Sequence, residues 1–201
     1  MRRPVLLALI LTILAIAAAT KPNSAAIKTA DPIQMGPLPV GVTTTVFVDN
    51  SRTDAATKEP RTLVTEIWYP AADDARTLSK NKFTDFIPGG LTPQFEGLLK
   101  LAYKKSAAEI NAQYWNFAVR DARVREGKYP VIIFSHGNGG SRFQNTFWCD
   151  FLASHGYVIV SADHTANARV TIIKGKPILY QNDQRDNSAV DRPKDMSFLL
   201  D

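Results

Sequence analysis

With 201 residues, 45% of them hydrophobic and 21% charged, the chain has room for one ordinary globular domain and is neither disordered nor fibrous in composition. Its 24 basic and 19 acidic residues give a net charge of +5, and no run of five basic residues occurs. That balance argues against a nucleic-acid partner and leaves, at most, peripheral contact with an anionic membrane surface.

The first element is Met1-Arg2-Arg3 followed by VLLALILTILAIAAA, an apolar run from Val5 to Ala19 broken only by Thr12. A charged start, a short apolar stretch and small residues at Ala17 and Ala19 match a secretory signal over residues 1–19. As a helix this run rises only about 22 Å, short of the roughly 30 Å hydrocarbon core, so a retained membrane anchor is the lesser reading. The pattern predicts a secreted or periplasmic protein, with cleavage after Ala19, Ala25 or Ala26. Cys149 is the single cysteine, so no intramolecular disulfide forms, and it reads as a small buried hydrophobe on a helix.

Residues 20–35 read as a linker, and residues 36–201 as the folded part. Gly36-Pro37-Leu38-Pro39 marks its start. Val42–Val48 and Leu63–Tyr69 are rich in β-branched and aromatic residues and predict two antiparallel strands, the second stopped by Pro70. Residues 71–91 read as loop. Thr92 and Pro93 sit at cap and first-turn positions of a helix whose Phe95, Leu98, Leu99, Ala102 and Tyr103 share one face. That helix either packs on the core or caps a lipid or ester pocket.

Pro130–Phe134 is a near-continuous apolar run, the mark of a strand buried on both faces of a parallel sheet. A helix over about 144–154 and a strand over Tyr157–Ser161 complete a βαβ unit. The fold class is therefore α/β, a mostly parallel sheet with an antiparallel start. Ligands of such sheets sit at the carboxyl ends of the strands, where Ser135-His136-Gly137-Asn138-Gly139-Gly140 lies. Glycines there leave backbone N–H groups free for an oxyanion or a phosphate. A dinucleotide site, with Asp163 on the ribose, is the weaker reading because Arg142 stands where the third glycine of G-x-G-x-x-G belongs.

Phe134-Ser135-His136-Gly137-Asn138-Gly139-Gly140 resembles the His-Gly loop of α/β-hydrolases, in particular the secreted platelet-activating-factor acetylhydrolase and dienelactone-hydrolase-like group. Glu66-Ile67-Trp68-Tyr69-Pro70-Ala71, Leu152-Ala153-Ser154-His155-Gly156-Tyr157 and Arg192-Pro193-x-Asp195 resemble further segments of that group in the same order. The resemblance implies the N-terminal half of an α/β-hydrolase fold and a carboxylic-ester hydrolase with a Ser-His-Asp mechanism, acting on a small-molecule or lipid ester without a cofactor. It also implies that the Asn138 N–H is one oxyanion donor, with His136, Gly137, Gly139 and Gly140 shaping the loop.

No G-x-S-x-G elbow occurs in residues 1–201, and the group's order of nucleophile, acid and base places all three beyond Asp201. The expectation is a chain ending before the elbow, inactive alone, with a bare sheet edge at the strand after His155 and poor solubility. A non-catalytic exported lipid- or ligand-binding module is the alternative. Neither Ser135 nor Ser141 has a base partner legible in the sequence. His155 reads as a helix-end cap, and His164 as a pocket candidate that does not pair with its neighbour Asp163, since adjacent strand residues face opposite ways. No His, Cys and carboxylate spacing suggests a metal site, and nothing sets an oligomeric state.

Overall fold

A computed structural model describes residues 34–114 and 116–201; the predicted signal segment lies outside the described residues. The β-branched runs become β1 (Val40–Thr53) and β2 (Pro60–Pro70), antiparallel from Val40 opposite Pro70 to Asp49 opposite Arg61. β3 (Ala118–Arg120) pairs parallel with the start of β1. β4 (Val131–Ser135) and β5 (Val158–Ala162) run parallel, and β5 also pairs antiparallel with β2. The strand order is β3-β1-β2-β5-β4, an α/β sheet with an antiparallel start. β6 (Val170–Ile173) and β7 (Lys176–Leu179) form a separate hairpin.

The bare edge differs from the sequence expectation. β5 lies between two partners, and β4 is the edge strand, with Val131 54% exposed. The apolar run of β4 predicts burial on both faces, yet Ile132, Ile133 and Phe134 are only half-buried at this edge.

Helix α1 (Pro93–Tyr103) starts where the sequence places it: the Phe95 N–H donates to Thr92 Oγ1 at 3.2 Å. A second helix, α2 (Ala107–Gln113), is closed by a reciprocal cap between Ser106 and Glu109, and residues 71–91 contain two short 3-10 turns. Helix α3 (Thr146–Ser154) begins two residues later than its pattern suggests. It sets Cys149 and Ala153 against Val40, Val42, Trp68 and Ile159 in the main core. A Cβ on Gly36 would come within 2.2 Å of the Ser154 carbonyl oxygen, so only glycine lets the chain enter against the end of α3. Helix α4 (Arg185–Phe198) carries Asp195 to a fully buried position. A second core joins Phe83, Ile87, Phe95, Leu99 and Ala107 beneath α1.

Candidate active site

Parallel pairing of β4 with β5, Ser135 opposite Ala162, brings two loops together at the carboxyl ends of those strands: 135–140 and 163–168. The glycine loop is fixed from several sides. The Gly139 N–H donates to Asn167 O (3.0 Å), the Gly140 N–H to Gly137 O (2.8 Å), and the Arg169 N–H to Gly140 O (2.7 Å). Gly139 has φ +68, a left-handed conformation that glycine adopts without the usual penalty. Arg192, from α4, donates to the His136 carbonyl at 2.8 Å and also grips the Asn167 side-chain oxygen. Asn138 accepts from Asn167 and donates to the Tyr180 hydroxyl at 2.9 Å.

Hydrogen-bond roles fix the state of His136. The His164 backbone N–H donates to His136 Nε2 at 3.0 Å, so Nε2 is an acceptor and the ring proton sits on Nδ1. Nδ1 then donates to the Gly137 carbonyl at 2.7 Å. Burial pushes this imidazole down to about 4, despite the carbonyl that favours its charged form. His136 is thus a neutral brace inside the loop. The N–H groups of Gly137 and Asn138 have no acceptor among the described residues. They are the two unspent donors of the turn.

Beside the loop stands an arrangement not legible in the sequence. Ser135 Oγ is 2.8 Å from His164 Nε2, and His164 Nδ1 is 2.8 Å from Asp195 Oδ2. A carboxylate only accepts, so Nδ1–H donates to it, and in the Nδ1–H tautomer Nε2 accepts from the Ser135 hydroxyl. His164 and Asp195 are fully buried, while Ser135 is exposed. Burial alone would raise the Asp195 carboxyl, but hydrogen bonds from His164 and Arg61, and the Arg61 charge, hold it down at about 2. Arg61 donates to both its oxygens (2.7 and 3.1 Å), and Arg52 forms a further ion pair at 2.8 Å. Ser135 therefore has a base partner, contrary to the sequence reading. The three residues are 29 and 31 positions apart, so no local spacing could signal them.

Asp163 and His164 lie just past the end of β5, and Asp163 makes no pair with His164. Its carboxylate is taken by Arg142, through the backbone N–H (2.8 Å) and Nη1 (2.6 Å), and by Thr171. Arg142 is fully buried and also donates to Glu66 at 3.1 Å. A ribose would find Asp163 already occupied. His155 is exposed at the end of α3, where Nδ1 donates to Phe151 O at 2.8 Å and caps the helix. Cys149 is buried, and burial pushes its thiol up to about 12. Among the described residues no group of three His, Cys, Asp or Glu side chains is arranged to hold a metal.

The sequence profile of the platelet-activating factor acetylhydrolase, isoform II, family matches residues 24–190. The chain belongs to that family. A ferulic acid esterase from Streptomyces cinnamoneus is 26% identical, superposes with a TM-score of 0.65, and is matched over 84% of this chain and 48% of its own. A Schizosaccharomyces pombe protein named "Putative phospholipase A2" is 43% identical over 44 residues, 22% of this chain and 10% of that protein. The chain thus spans about half the length of the solved esterase and a small part of the yeast protein. The matched family and the solved neighbour both bear the names of ester hydrolases, and the sheet order agrees with an α/β fold.

Proposed function

We propose that this chain carries the oxyanion-binding part of a secreted carboxylic-ester hydrolase working by a Ser-His-Asp mechanism on a small-molecule or lipid ester. One observation carries the reading. The Asn138 N–H, with that of Gly137 beside it, is unspent at the carboxyl end of a parallel strand, on a loop braced by neutral His136, Asn167 and Arg192. A preorganised N–H costs no reorganisation when negative charge develops on a carbonyl oxygen, which is how such donors lower an acyl-transfer barrier. The G-x-S-x-G elbow that would add nucleophile and second donor does not occur in residues 1–201. On this reading the 201-residue chain alone does not turn esters over. The export proposal rests on the Arg2-Arg3 start and the Val5–Ala19 run.

The Ser135–His164–Asp195 relay favours a second reading, in which Ser135 is itself the nucleophile. Its connectivity, hydroxyl to Nε2 and Nδ1 to a buried carboxylate, is that of serine hydrolases. Hydrolysis of p-nitrophenyl butyrate and labelling by a fluorophosphonate separate the two. The first reading predicts neither turnover nor label in the folded chain. Turnover and a label on Ser135, both abolished by Ser135→Ala, would establish the second instead.

A further inference from the structure

Asn138-Gly139 is the one Asn-Gly pair in the sequence, and Asn138 is exposed on the glycine loop. The side-chain carbonyl carbon of an asparagine and the next main-chain nitrogen are spaced to close a five-membered ring. Glycine leaves that nitrogen unshielded, having no side chain. A Cβ on Gly139 would meet no atom within 4 Å among the described residues, so the peptide faces open space.

Two residues hold the reacting atoms apart. The Gly139 N–H donates to the Asn167 carbonyl at 3.0 Å. The Asn138 side chain is tied at both ends, Oδ1 accepting from Asn167 and Nδ2 donating to the Tyr180 hydroxyl at 2.9 Å. Asn167 is gripped by Arg192, and the Tyr180 hydroxyl donates to Asn182 at 3.2 Å, so both tethers are themselves anchored. Ring closure therefore needs local opening of the loop.

We infer that Asn138-Gly139 is a self-modifying site, guarded by Asn167 and Tyr180, whose conversion silences the Gly137–Asn138 turn. The Gly139 nitrogen loses its proton to solvent base and attacks Asn138 Cγ. The new N–Cγ bond closes a cyclic imide while the Cγ–Nδ2 bond breaks, and Nδ2 takes up a proton and leaves as ammonia. Water then adds to one of the two imide carbonyls. Breaking the N–Cγ bond gives aspartate; breaking the original peptide bond gives isoaspartate, with one extra methylene in the main chain. Either product sets a carboxylate beside the unspent N–H groups, where it repels an oxyanion. The site is independent of the ester-hydrolase reading; only the silencing rests on it.

Peptide mapping by mass spectrometry, after the 201-residue chain is aged in heavy-oxygen water at mildly alkaline pH, reads the conversion rate at residue 138. The folded chain should convert at least about tenfold slower than the same chain unfolded in guanidinium chloride. Tyr180→Phe removes one tether, and Asn167→Asp keeps an acceptor for Arg192 but no donor for Asn138. Each variant should convert about fivefold faster than the wild-type chain. Asn50, exposed on β1 and followed by Ser51, should keep its rate in both variants. Equal rates at residue 138 in folded, variant and unfolded chains, or a parallel rise at Asn50, would overturn the guarded site. Fresh chain should bind butylphosphonate, followed by the Gly137 amide shift, and converted chain should not. A converted chain that still binds would overturn the silencing. A fresh chain that does not bind would sink the oxyanion reading while the conversion rates stand.

Discussion

Asp195 is the residue on which two arginines and a histidine converge, and each of its interactions is made out of water. Replacing Asp195 by Asn leaves buried Arg61 without half its counter-charge, a loss of about 3–5 kcal/mol in urea-unfolding free energy. Two other buried groups set opposite pH trends. Burial pushes the Asp150 carboxyl up to about 7 from its usual 3.8, against the bonds it accepts from Phe117 and its neighbours. The folded state then holds a proton that the unfolded state has lost, so this contribution is full below pH 3.8 and fades as pH rises through 7. His136 runs the other way. Its folded value of about 4 lies below the usual 6.5, so its contribution is full above pH 6.5 and is lost as pH falls through 4. Between pH 4 and 6.5 the two trends oppose each other. Asp150→Asn should unmask His136, giving melting temperatures that climb with pH across that window. A flat profile in the variant would contradict the neutral brace.

At the scale of elements, side-chain caps fix where α1 and α2 begin. Thr92→Ala removes the acceptor for the Phe95 N–H and should cost about 1 kcal/mol, read as faster hydrogen exchange through the first turn of α1. The start of α1 was legible because cap, proline and apolar stripe all agreed. β1, β2, β4 and β5 were legible from runs of β-branched and aromatic residues, each bounded on one side by a glycine or proline: Gly41, Pro70, Pro130 and Gly156. β3 is three residues long and exists only because β1 offers it an edge, so no period could reveal it. The β6–β7 hairpin turns on Lys174 and Gly175, both with positive φ, and a lysine in that conformation is not a sequence signal. The candidate site divides along the same line. The glycine loop is contiguous and was read from five residues, whereas the Ser135–His164–Asp195 relay needs the β4–β5 pairing and α4 to exist first.

For the whole molecule, the sheet edge is the governing feature. β4 presents Val131 at 54% exposure and half-buried Ile132, Ile133 and Phe134 along an unpaired edge among the described residues. Such an edge templates pairing with another chain. Val131→Lys should raise the soluble monomeric fraction in sedimentation velocity, because an edge lysine opposes strand addition. If the wild-type chain is already a soluble monomer with a sharp cooperative melt, the edge is not the liability described here. The account itself turns on the unspent N–H groups beside His136. Titration of ¹⁵N-labelled chain with butylphosphonate, a tetrahedral oxyanion mimic, tests them directly by amide chemical shifts. The prediction is a saturable downfield movement of the Gly137 and Asn138 amides, abolished at the loop by Asn138→Pro, which removes the donor. Amide shifts that leave residues 137 and 138 unmoved would contradict the oxyanion role of this loop.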